Sequence, residues 1–225
     1  MSASAANLRV ILTGATGMVG EGVLLECVEN PAVSHVLMVN RRPSPLRHRK
    51  LQELIVPDFF SLDAVAPQLA GYDACFFCAG VSSVGMSEAG YTRVTHDLTV
   101  HFAQTLASLN PGMTFIYVSG AMTDSTEKGR AMWARVKGRT ENDLMKLGFA
   151  RVYNFRPGFM RATQGQRNIL PYYKFIAWLY PIARVLVPNR VSTLRQVGRA
   201  MIHAAQRGYP KSILEIEDIN MLAAG

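Results

Sequence analysis

The chain has 225 residues, 49% hydrophobic and 18% charged, which is enough for one sizeable core and too short to lead one to expect two independent domains. Its net charge of +8, from 24 Lys and Arg against 16 Asp and Glu, excludes an acidic disordered chain and favours anionic partners such as phosphates. Three cysteines, Cys27, Cys75 and Cys78, behind an opening MSASAAN with no basic start or apolar stretch, argue against a disulfide framework and for a reducing, cytoplasmic setting.

Leu8 to Leu12 predicts a first strand, TGATGMVG a turn, and the spacing of Val19, Val23, Leu24 and Cys27 a helix that stops at Asn30-Pro31. His35 to Asn40 is a second strand, completing a βαβ unit. Leu54 to Val56 is a brief third strand, Ser61 to Leu69 a helix capped by Ser61, and Asp73 to Ala79 a fourth strand. A long helix runs from Ser87 to Leu109, stopped by Asn110-Pro111-Gly112. Met113 to Ser119 is a fifth strand, Ala131 to Leu147 a helix ended by Gly148, and Ala150 to Phe155 a sixth strand. After Arg156-Pro157-Gly158 the alternation breaks down into an α-rich portion that closes with one strand-like run, SILEIED.

Near-continuous apolar strands alternating with helices predict an α/β fold: a doubly wound, mostly parallel Rossmann sheet with a small C-terminal α-rich appendage. One domain is expected over 1–225, with a nucleotide-binding core over about 8–160 and a substrate-side portion over about 161–225. Cys75 and Cys78 sit in an apolar strand that sends them to opposite faces, so CFFC reads as core rather than a metal or redox pair. No metal site is expected. His96 and His101, five apart on one helix, face different ways.

The turn places Gly14, Gly17 and Gly20 between a strand and a helix, where glycine allows a tight bend and lets backbone N–H groups approach a pyrophosphate at the helix start. The spacing is GxxGxxG, not GxGxxG. At the end of the second strand a carboxylate would take the ribose 2′-OH of NAD(H), whereas an arginine accommodates the 2′-phosphate of NADP(H). Here Asn40 is followed by Arg41 and Arg42, and two guanidinium forks favour NADP(H) over NAD(H). The basic run NRRPSPLRHRKL thereby gains a role, and nucleic acid is not needed as a partner.

TGATGMVG, NRR, PDFFSLD, FFCAG, YVSG, the Lys137 of WARVK, and FRPGFM follow one another in an order that resembles the short-chain dehydrogenase/reductase superfamily, in its extended or atypical branch of epimerase/dehydratase-like and NAD(P)H-binding proteins. The resemblance covers about residues 8 to 160. It implies that Gly14, Thr16, Gly17, Met18 and Val19 lie against the pyrophosphate, that Arg41 and Arg42 hold the adenosine phosphate, and that Asp58 and Phe59 border the adenine. It further implies that Ala79 and Gly80 run beside the nicotinamide ribose and that Pro157 and Gly158 lie near the nicotinamide. Ser119 and Lys137 match the family's catalytic serine and lysine. The tyrosine of the family's YxxxK pair falls on Trp133.

Indole N–H only donates and does not ionise at physiological pH, so Trp133 cannot shuttle a proton. Three readings stand. The chain is an oxidoreductase or epimerase in which Ser119, Lys137 through a water, Tyr91 or Tyr153 supplies the proton; or it binds NADPH without catalysis, as a redox sensor or regulatory module; or Trp133 is core and Lys137 incidental. The run Asn168 to Pro188 is the most apolar, yet Lys174, Pro181 and Arg184 interrupt it, so a membrane span is not expected. It reads as pocket wall or homodimer surface, with peripheral membrane contact as the lesser option, and as suited to a small apolar substrate.

Overall fold

The computed structural model describes residues 7–169 and 191–225. Seven strands form one sheet: β1 (Leu8–Thr13), β2 (Val33–Asn40), β3 (Leu51–Ile55), β4 (Ala74–Phe77), β5 (Thr114–Val118), β6 (Arg151–Phe155) and β9 (Ile213–Leu214). Their order is β3-β2-β1-β4-β5-β6-β9, and every pairing is parallel. The order reverses between β1 and β4, so the crevice beyond the carboxyl ends of those two strands is the topological switch point where an open α/β sheet binds ligands.

The central strands are largely apolar because both of their faces are covered, whereas the edge strand β3 buries only Leu54, and side-chain alternation divides the core. Val10, Leu12, Met38, Phe76 and Ile116 pack with Val23 and Leu24 of α1 (Met18–Glu29) and Val197 and Met201 of α5 (Leu194–Arg207). Ile11, Leu37, Val39, Phe77 and Phe115 face the other way, onto Phe102 and Leu106 of α3 (Leu98–Leu109) and Leu144 of α4 (Met132–Leu144). Cys75 belongs to the second layer and Cys78 packs on the first, as alternation requires. Burial pushes the Cys78 thiol up to about 12.

The long helix after β4 is one rod: α2 (Glu88–Thr92), a π turn (Arg93–Asp97) and α3, with the Ser87 hydroxyl capping the Gly90 N–H at 3.2 Å. His96 sits in the π turn between two carboxylates, Asp97 and Asp143, each at 2.8 Å, while His101 points elsewhere, onto Phe60. The expected cap at Ser61 is not used: residues 63–69 form a 3-10 helix whose cap position is Leu62, with Pro67 inside it.

SILEIED splits. Ile213 and Leu214 add the seventh strand beside β6, and Ile216 starts α6 (Ile216–Ala224). The C-terminal helical portion therefore builds part of the main sheet, with α5 packed on α1: a Cβ on Gly22 would meet the Leu194 side chain at 2.7 Å. A short parallel pair, β7 (Phe159–Arg161) and β8 (Val191–Thr193), flanks the sheet, and Thr193 and Gln196 cap α5 reciprocally. Most of the apolar run Asn168 to Pro188 lies outside the described residues.

Candidate functional site at the sheet's carboxyl edge

The turn after β1 has the geometry its glycines permit. Gly14 has φ +74°, and a Cβ there would meet the Ala79 N and Cys78 C atoms at 2.7 Å. A Cβ on Gly20 would lie 2.1 Å from the Gly14 carbonyl oxygen, so only glycine lets α1 start against the turn. Gly17 differs. Its Cβ would touch nothing nearer than Gly14 O at 3.4 Å, and one on Gly80, across the crevice, would find no atom within 4 Å.

Gly17 caps α1 with no side-chain bond, which leaves the first N–H groups of the helix facing that open space. Thr16 and Gly17 are exposed, Val19 is half-buried, and Met18 is buried in the core. The Ala79 N–H donates to Thr13 Oγ1 at 3.1 Å, tying β4's end to β1. Uncapped amides beside unfilled room fit a pyrophosphate.

Arg41 and Arg42 follow β2 as exposed side chains, and among the described residues neither has a hydrogen-bond or ion-pair partner. Asn40 is 3% exposed; its Nδ2 donates to Glu53 at 2.9 Å, and Glu53 also takes the Ser44 N–H at 2.7 Å, which fixes the bend bearing both arginines. The rest of the basic run goes elsewhere. Lys50 reaches the Asn30 carbonyl at the far end of α1, and Arg47 bonds carbonyls of its own loop.

Asp58 takes the Phe60 N–H and stays exposed, whereas the Phe59 ring is buried on Phe102 with centroids 5.2 Å apart. Phe59 can therefore offer an adenine only its backbone. Pro157 and Gly158 follow β6, and the Pro157 carbonyl takes the Ala121 N–H at 2.9 Å, extending the β5–β6 pairing.

Trp133, Lys137 and Glu141 are spaced four apart on α4 and share one stripe. The stripe runs from half-buried Trp133 and Lys137 to Glu141 at 0% exposure. The Lys137 ammonium donates to the Ser119 carbonyl, and burial lowers its pKa to about 8, with Glu141 opposing that fall. The Ser119 hydroxyl is buried and points inward: it lies 2.5 Å from Glu141 Oε1 and 3.1 Å from the Phe155 carbonyl, not facing an open site. Tyr153 is committed to the backbone of Tyr209, and burial raises the Tyr91 phenol's pKa. Of the side chains considered as proton donors, Lys137 alone combines partial exposure with a pKa near neutrality.

Glu141, Gly138 and Glu21 belong to none of the motifs that marked site residues in the sequence, and FRPGFM assigns no role to its Arg156. Arg156 brackets Glu141, with Nε on one oxygen at 3.0 Å and Nη2 on the other. Gly138 lets α4 press on the loop after β5, where a Cβ would meet Asp124 O at 1.8 Å. Glu21 accepts from the Arg167 and Asn168 N–H groups at 2.9 and 2.6 Å, latching the loop after β7 to α1. A glycine inside a helix and a carboxylate one turn after a lysine were the available signals.

The comparisons agree with this architecture. Residues 10–129 match the NAD dependent epimerase/dehydratase family. "Protein fmp52, mitochondrial" of Aspergillus fumigatus is 33% identical over 166 residues, 71% of this chain and 68% of that protein. Rat "Protein HTATIP2" is 29% identical over 156 residues, 68% of this chain, and the match spans 63% of the rat protein's length. The Helicobacter pylori ADP-L-glycero-D-manno-heptose-6-epimerase superposes with a TM-score of 0.68 at 15% identity, covering 100% of this chain and 83% of the epimerase. A Burkholderia cenocepacia short chain dehydrogenase in complex with NADP gives 0.65 at 14%, covering 99% and 95%. The cytoplasmic expectation is overturned: several fungal relatives carry "mitochondrial" in their names, a destination that composition and cysteine count do not encode. With its glycine turn, strand order and matched residues in agreement, the chain belongs to the NAD dependent epimerase/dehydratase family.

Proposed function

We propose that this chain binds NADP(H) across the carboxyl edge of β1 and β4 and is an oxidoreductase or epimerase acting on a small apolar carbonyl or alcohol. The observation that carries the reading is Lys137, half-buried on α4 with its ammonium on the Ser119 carbonyl at the end of β5, where burial lowers its pKa to about 8. A lysine poised there can donate or accept a proton near neutral pH, directly or through a water, which the indole of Trp133 cannot do.

A bound nicotinamide supplies or takes the hydride. The chain's own residues do the rest. Gly17 and the first amides of α1 face the pyrophosphate, Arg41 and Arg42 take the 2′-phosphate, and Lys137 grips the ribose and holds the proton. Two loops at the mouth support an apolar substrate: Val81 and Val84 after β4 are 42% and 88% exposed, and Met122 after β5 is 80% exposed. The names of the fungal relatives support a mitochondrial place for this chain as well.

Two features favour a second reading, a non-catalytic NADPH-binding sensor or regulatory module: the Ser119 hydroxyl is taken up inside the protein, and Trp133 stands where the resemblance puts the family's tyrosine. Titration with NADPH and NADH by fluorescence transfer from tryptophan, followed by NADPH consumption with aliphatic and aromatic aldehydes, separates the two. NADPH-selective binding with turnover that Lys137→Met abolishes supports the enzyme. Binding without turnover in the parent, with turnover gained on Trp133→Tyr, supports the module. No affinity for either dinucleotide sinks both.

A further inference from the structure

A buried polar network lies behind Lys137. Five segments meet there: β5's end supplies Ser119, the following loop Ser125, α4 Glu141, β6's end Arg156, and the start of α6 Glu215. Glu141 is fully buried and receives the Ser119 hydroxyl and two nitrogens of Arg156. The outer nitrogens of Arg156 reach Ser125 Oγ at 2.5 Å and Glu215 Oε1 at 3.1 Å, and its backbone N–H bonds Leu214 O at 2.9 Å.

A carboxylate and a guanidinium buried together gain little or nothing over an apolar pair of similar volume, because both must be stripped of water. Folding stability is therefore a weak reason for their presence. Geometry offers a better one. Ser119 is gripped from both sides: its hydroxyl is held by Glu141, its N–H bonds the Phe155 carbonyl at 2.9 Å, and its carbonyl takes the Lys137 ammonium. With one ammonium N–H fixed on that carbonyl, two remain for another acceptor.

We infer that Glu141, clamped by Arg156, is a positioning residue for Lys137: it fixes the Ser119 carbonyl that aims the ammonium at the cofactor ribose, and it keeps the ammonium charged. This rests on the dinucleotide reading above. The charged and titratable groups around it are consistent with the role. Glu141 lies on α4 itself, Tyr117 of β5 interacts with Glu141 and has its pKa pushed up by burial, Tyr91 of α2 interacts with Tyr117, and Arg156 comes from β6's end. The carboxylate opposes the loss of Lys137's proton that burial favours.

The test is NADPH affinity as a function of pH. A protonated Lys137 holds the ribose more tightly than a neutral one, so the parent's affinity is highest below about pH 8 and weakens above it. Glu141→Gln keeps the shape and removes the charge; its midpoint is expected to move down by about half a unit or more, roughly a threefold change in the protonation constant. Where that variant leaves Arg156 without its buried partner and does not fold, Glu141→Gln with Arg156→Gln removes both charges; the lost guanidinium had opposed the ammonium's charge, so a smaller shift in the same downward direction is expected. A folded variant that melts lower but keeps the parent midpoint overturns the positioning role and leaves the dinucleotide reading intact. A parent that binds no NADPH overturns both.

Discussion

The two units that meet the sheet's carboxyl edge use opposite chemistry. In β1–α1–β2 the polar groups are left open: the amides at the start of α1 have no side-chain cap, and Arg41 and Arg42 have no partner among the described residues. In β5–α4–β6 they are closed on one another, with Ser119, Glu141 and Arg156 sealed in a buried network. An open set is what a highly charged ligand needs, since binding then breaks no internal bond. A closed set gives up direct contact with a ligand and gains fixed geometry, leaving Lys137 and Trp133 as the groups at the rim.

The comparison breaks most severely at the turn. Gly20→Ala forces a Cβ against the Gly14 backbone at 2.1 Å, which no rotamer relieves; a loss of about 2–3 kcal/mol and of dinucleotide binding is expected, read by thermal melting and titration. Gly17→Ala is the contrast, because its Cβ meets only Gly14 O at 3.4 Å. It is expected to melt near the parent yet bind NADPH roughly tenfold or more weakly, by filling the pyrophosphate's room. Equal melting losses in the two variants would show that the turn is structural and nothing else.

Next in size, changing either Arg41 or Arg42 to Ala is expected to cost about 2 kcal/mol of NADPH affinity, roughly thirtyfold. NADH affinity and the melting temperature should barely move, because the side chains are exposed and unpartnered. Equal losses for both dinucleotides would remove the 2′-phosphate assignment.

The smallest effect is in stability against pH. Lys137 titrates at about 8 in the folded chain, below the 10.5 of a free lysine, so between those values the unfolded chain holds a proton that the folded chain has released. The contribution of this group to stability therefore rises with pH across that window and is lowest below 8. Melting the parent and Lys137→Met in parallel from pH 7 to 10.5 should show their difference changing in that sense; a constant difference would mean the ammonium is solvated.

The sequence alone determined the alternation of strands and helices, because a sheet covered on both faces must be built from near-continuous apolar runs such as VIL within β1 and ACFF in β4. It also determined the turn, since the requirement for glycine is local: a positive φ and a close approach can be anticipated wherever such spacing falls between strand and helix. Arg41 and Arg42 were legible for the same reason, placed by the end of one strand. Tertiary structure decided the rest. Only the pairing of β5 with β6, and of both with α4, brings Ser119, Glu141 and Arg156 together from residues 15 to 37 positions apart and turns the hydroxyl inward, because a buried carboxylate takes whatever donors the packing supplies. The pairing of β6 with β9 likewise drew the C-terminal portion into the sheet: two apolar residues in SILEIED show a strand, but not which neighbour completes it.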